Sequence, residues 1–153
     1  MKRFRPQRYV PPPPPGVAVF TCRGCGASLT APLRRLDESA ALATKELAPL
    51  VPAGTYWPVA VGHLPSSFDD RPVDFAGCFA VRPDALAGVD HHPDHRRLNG
   101  CCGPNGAHGH NRVCRCGRSV GTERSDCMWP AAVYLEPKAV RPVEKGAAPD
   151  GGQ

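Results

Sequence analysis

The chain has 153 residues, enough for one domain, and its 19 prolines and 16 glycines make up about 23% of it. That composition excludes long regular elements and points to a loop-rich fold that needs a staple, as does the hydrophobic share of 41%. The formal charge of +5 is too small to imply a polyanion partner by itself, and no apolar run reaches the ~18 residues of a membrane-spanning helix.

The elements predicted in chain order begin with an arm, residues 1–16. It is basic first (Lys2, Arg3, Arg5, Arg8) and then proline-rich, and Pro11 to Pro15 favour an extended polyproline rod acting as a spacer. Those prolines also stand where the apolar core of an export signal would lie, so the expected compartment is the cytoplasm. A single domain is expected over 17–136, and 137–153 reads as a disordered tail of Pro, Lys, Glu, Gly and Ala.

Val17, Val19 and Phe20 lead as a strand into a cysteine turn, and Ala27, Leu29 and Ala31 alternate out of it, which predicts a hairpin. Over 33–47, Leu36, Ala40, Ala43 and Leu47 follow the spacing of one helical face, with Pro49 and Pro52 beyond; this predicts a helix. Residues 55–61 read as a strand that Pro58 should confine to an edge or a bulge. A loop follows over 62–74, then a short strand over 75–81 and a short helical turn over 82–88 closed by Gly88. Residues 89–110 are polar and turn-forming. Val113 and Val120 flank a second cysteine turn, and 131–135 is a final strand. The expected class is small α+β, mainly β, with short antiparallel strands and long loops around a metal site.

Eight cysteines in a reducing compartment point to metal before disulfides. Cys22-Arg23-Gly24-Cys25-Gly26 and Cys114-Arg115-Cys116-Gly117 each place two thiols in one tight turn and follow the second with glycine. Two such turns supply four sulfurs, a complete structural zinc site that would clip the two ends of the folded region together. Two disulfides are the rival reading. Cys101 and Cys102, with Cys127 and His108 or His110, form a second candidate metal or thiol site; alternatively one of the vicinal pair replaces a member of the first. One ion is therefore expected, or two. Cys78, between Gly77 and Phe79, reads as a small core residue. His91, His92 and His95 read as a solvated loop, because Pro93 prevents a helix from aligning their imidazoles. Arg112, Arg115 and Arg118 surround the second turn as candidate phosphate contacts. Arginine outnumbers lysine by 15 to 4, however, a bias that a GC-rich genome produces along with raised Ala and Pro.

The first turn, Phe20-Thr21-Cys22-Arg23-Gly24-Cys25-Gly26-Ala27, resembles the knuckle of zinc-ribbon and rubredoxin-like proteins. The resemblance covers about ten residues; the second turn departs from it by having one residue between its thiols instead of two. It implies a closed four-thiolate site at Cys22, Cys25, Cys114 and Cys116. Sites of this kind contribute roughly 10 to 16 kcal/mol in small zinc peptides, so a metal-free chain should be largely unfolded. The whole chain is also loosely similar to small cysteine-rich proteins of unassigned role in actinobacterial-type bacteria. The likeness lies in Cys-x-x-Cys-Gly, Gly-Cys-Cys-Gly, an Asn before Cys-x-Cys-Gly, and Asp126-Cys127 with Trp129 soon after; it implies no activity.

Two function classes follow. The first is a non-enzymatic zinc-binding module contacting a macromolecule, protein before nucleic acid and no membrane, since a closed site leaves no coordination position for chemistry. The second is a thiol or redox-active protein using Cys101, Cys102 or Cys127, with Arg96 and Arg97 near in sequence and His108 as a base. No Ser/His/Asp order, phosphate-cradling loop or carboxylate pair suggests a catalytic residue.

Overall fold

The computed structural model describes residues 16–37, 42–43, 48–60, 75–127 and 129–145. The described chain is built from nine short strands: β1 (Val17–Cys22), β2 (Leu33–Arg35), β3 (Thr55–Pro58), β4 (Phe79–Val81), β5 (Val89–His91), β6 (Arg112–Cys114), β7 (Ser119–Arg124), β8 (Ala132–Leu135) and β9 (Val140–Lys145). They form one curled sheet in the order β5-β6-β7-β8-β4-β3-β2-β1-β9. All neighbours are antiparallel except β2 and β3, which run parallel. No helix among the described residues is long and apolar enough to cross a membrane.

Strand alternation divides the buried side chains into two cores. Ala18, Phe20 and Cys22 of β1, Tyr56 of β3, Val81 of β4, Val120 of β7, and Val133 and Leu135 of β8 point into the first, which draws on all nine strands. Phe20 lies at its centre, with the rings of Tyr56 and Phe79 each 5.0 Å away. The intervening residues Trp57, Ala80, Ala132 and Tyr134 turn to the other face and pack with Leu50, Val51, Phe75 and Cys78. There Phe75 stacks on Tyr134 at 4.1 Å. Cys78 is thus a small core residue, as expected.

Three expectations need correction. The first three residues of the predicted helix, Leu33–Arg35, are strand β2, paired with β1 and β3. Leu33 enters the first core and Leu36 the second, so their spacing of three reflects the two faces of an extended chain. Residues 38–41 and 44–47 of that helix, the arm 1–15, the whole 62–74 loop and 146–153 of the expected tail lie outside the described residues. β3 is interior to the sheet, and it accommodates Pro58 because that residue ends the strand. Most consequential, the expected tail contains β9. Its six residues pair one for one with β1, from Val17 opposite Lys145 to Cys22 opposite Val140. β9 is an edge strand, where Pro142 needs no amide on the open side.

The expected helical turn at 82–88 is a single 3-10 turn, Pro83–Ala85, followed by Gly88 with φ of 68°. Within 89–110 the structure adds strand β5 and a second 3-10 turn, His95–Leu98, capped by the Asp94 carboxylate accepting from the Arg96 amide at 3.1 Å.

Candidate metal centre and a second thiol cluster

Both cysteine turns leave the sheet at corresponding places, each from the end of the strand next to an edge strand. In the first, the Gly26 amide donates to the Cys22 carbonyl at 2.8 Å and the Cys22 amide to the Ala27 carbonyl at 2.9 Å. The reversal needs Gly26 at φ 75°, a conformation that a side chain disfavours. In the second, the Gly117 amide donates to the Cys114 carbonyl at 2.8 Å, with Gly117 at φ 92°. The missing residue shortens the loop but leaves the same reversal. Its cost is one amide: Gly24 and Cys25 both donate to Cys22 Sγ, whereas only the Cys116 amide bears on Cys114 Sγ.

Curling of the sheet brings the turns face to face, and the sulfurs of Cys22, Cys25, Cys114 and Cys116 lie within 4.8 Å of one another. Cys22 and Cys116 approach to 3.7 Å, and Cys25 and Cys114 to 3.6 Å. Metal–sulfur bonds of ~2.3 Å in a tetrahedron separate their sulfurs by ~3.8 Å, so the donor set fits one tetrahedral ion. Each turn contributes one buried and one exposed thiol. Burial pushes the Cys22 thiol up, but the amides of Cys25 and Gly24 and the neighbouring thiols bring it down to about 7. Burial pushes Cys114 up to about 12, and the surrounding thiols add to that rise. The cluster holds protons that an incoming cation would release.

The β8–β9 turn braces both knuckles. Arg23 donates from its backbone to the Ala139 carbonyl at 2.9 Å and from Nε to the Pro137 and Val140 carbonyls at 3.0 Å each. Arg118 Nη2 donates to the Lys138 carbonyl at 3.1 Å from the other side. Arg23, Arg115 and Arg118 are exposed residues in or beside the two turns. An open cleft of ≈ 450 Å³ beside this brace is lined by His110, Arg118, Ser119, Glu136, Lys138 and Ala139.

Arg112 is not available for phosphate, which corrects the sequence expectation. Its side chain is 9% exposed and donates to Glu123 Oε1 at 2.8 Å and to the Val89 carbonyl at 3.1 Å. His91 joins the same pair, 3.3 Å from the Glu123 carboxylate. His92 Nδ1 instead accepts the Asp94 amide at 3.0 Å. His91, His92 and His95 enter no metal-sized group among the described residues. Asn111, which sequence reasoning passed over, is fully buried and replaces a strand partner: its side chain accepts from the Glu123 amide at 2.6 Å and donates to the Glu123 carbonyl at 3.0 Å. It extends the pairing one residue before β6, while the β6–β7 register itself slips between Arg112 and Val113.

The remaining thiols form a second cluster, Cys101, Cys102 and Cys127, with sulfurs within 4.8 Å. His108 is exposed, and His110 faces Glu136 at 3.7 Å; neither belongs to this group. No family model, curated protein or solved structure matches the chain. The functional reading rests on the cysteine chemistry.

Proposed function

We propose that the protein is a non-enzymatic β module stapled by one zinc ion at Cys22, Cys25, Cys114 and Cys116, acting in a reducing compartment by contacting another protein. The observation that carries this reading is the pair of sulfur separations, 3.7 and 3.6 Å, between turns about 90 residues apart. Four soft thiolates suit zinc, and a closed set leaves no position for water or substrate. The first turn's likeness to a zinc-ribbon knuckle, with amides directed at the Cys22 sulfur, supports the same ion. Zinc with four thiolates carries two net negative charges, and Arg23, Arg115 and Arg118 are the cationic residues next to its ligands in sequence. A protein partner is favoured over nucleic acid because Arg112 is committed inside the fold and the net charge is only +5.

Elemental analysis of the purified full chain tests the metal: one zinc per chain, lost in Cys25→Ser, is expected, and protein that carries no metal as purified and takes up none when zinc is added refutes the proposal. Steeply salt-dependent binding of an arbitrary DNA or RNA would overturn the preference for protein.

A further inference from the structure

The second cluster differs from the clasp in having three thiols instead of four, none of them buried. Cys101 and Cys102 are exposed and Cys127 is half-buried. The sulfurs of Cys101 and Cys127 are 2.6 Å apart, and those of Cys101 and Cys102 are 3.4 Å apart. The first separation lies between the ~2.05 Å of a disulfide bond and the ~3.8 Å that a tetrahedral ion imposes. Two thiols this close are placed to bond to each other.

The loop that presents them is built for close approach. A Cβ on Gly100 would overlap the Gly103 carbonyl oxygen, and one on Gly103 would stand 2.9 Å from Ser125 Oγ. The Asn105 amide closes the loop on the Asn99 carbonyl at 2.8 Å, and the Ser125 amide donates to the Pro104 carbonyl at 2.8 Å. Arg124 Nε donates to the Asn105 carbonyl at 3.3 Å, while its guanidinium lies 4.0 Å over the Trp129 ring. The vicinal pair is thereby held against the segment that follows β7, where Cys127 lies.

We infer that Cys101 and Cys127 are a dithiol–disulfide redox site, open to low-molecular-weight disulfides, with Cys102 as an adjacent third thiol. The Cys101 thiolate attacks one sulfur of the disulfide RSSR, forming a Cys101–S–S–R bond and releasing RS⁻, which takes up a proton. Cys127 then gives its thiol proton to solvent and attacks Cys101 Sγ. The Cys101–Cys127 bond forms, the second RS⁻ leaves and is protonated, and two electrons have passed from the protein to RSSR, which departs as two RSH. The ordering of roles follows the thiols: contacts from the thiols of Cys127 and Cys102 and the Cys127 amide lower Cys101, whereas Cys101 and Cys102 push Cys127 up to about 12. In a reducing compartment such bonds are transient and report or transmit redox state. The bond closes a ring across the 26 residues that separate its ends, with Cys114 and Cys116 inside it.

The test treats the metal-loaded full chain with oxidised glutathione at neutral pH and follows metal content in parallel. Trypsin then releases 98–112, carrying Cys101 and Cys102, and 125–138, carrying Cys127. The expected result is a disulfide joining these peptides, with a mass lower by two hydrogens, reversed by dithiothreitol and formed with no loss of clasp metal. The Cys102→Ser variant should retain the bond and Cys101→Ser should lose it. A chain that stays unlinked, a Cys101→Ser variant that links as fast as wild type, or protection of the trio by a second bound ion would each overturn the inference. Metal loss from the clasp alone would instead bear on the proposed function.

Discussion

Removing the metal from the clasp should cost this fold a calculable amount. The bridge joins sulfurs separated by 89 and 94 residues, and its removal restores to the unfolded chain the freedom of a loop of that length. The chain-entropy relation puts this at about 4–5 kcal/mol. Most domains hold only about 5–15 kcal/mol in total, so the metal-free protein is left marginal; it stops short of the wholesale unfolding expected from zinc peptides because two apolar cores remain to hold the sheet. For a domain of this size the loss lowers the melting temperature by roughly 15–20 °C. The assay is calorimetry or far-ultraviolet circular dichroism on one preparation before and after dialysis against a chelator with reductant, with metal measured on the same samples. If the stripped protein melts within about 3 °C of the loaded one, less than 1 kcal/mol is at stake. The clasp is then not what joins β1 to β6.

Two more perturbations address parts of the fold that the sequence concealed. Glu123→Ala leaves the Arg112 charge buried without its carboxylate and should destabilise the domain by about 3–5 kcal/mol by chemical denaturation; Arg112→Met with Glu123→Leu should recover most of that, and equal losses in both variants would refute the pairing argument. Removing residues 137–153 takes away the partner of β1 along its whole length, the buried Val140 and the carbonyls that hold Arg23. Cooperative melting and metal retention should both be lost, and a truncated chain with an unchanged transition would show that β9 is dispensable.

The cysteine turns were legible because two thiols and a glycine in a tight turn have the same local chemistry in any fold. β1, β3, β4 and the strands around the second turn were legible as β-branched or aromatic runs between turn residues. β9 was not, because Arg141, Pro142, Glu144 and Lys145 read as a solvated tail, and only an edge position makes such a strand viable. β2 was misread because the helical spacing of Leu36, Ala40, Ala43 and Leu47 was extended back to Leu33, although none of those four residues lies in Leu33–Arg35. Arg112 looked like a surface charge because its carboxylate lies eleven residues away across a slipped hairpin register. Nothing local in the sequence announces such a pair. The nearness of Cys127 to the vicinal thiols is legible only once the glycine loop is laid against the end of β7.

The antiparallel match of β1 with β9 sets the order of events during synthesis. Phe20 and its neighbours emerge from the ribosome long before the residues that will flank them, and they wait for the last strand to be translated. Over that interval one backbone edge of β1 stays open to any extended chain that passes, as does the first pair of knuckle thiols. The window in which this strand is vulnerable to aggregation lasts for the synthesis of the 120 residues that separate Thr21 from Arg141.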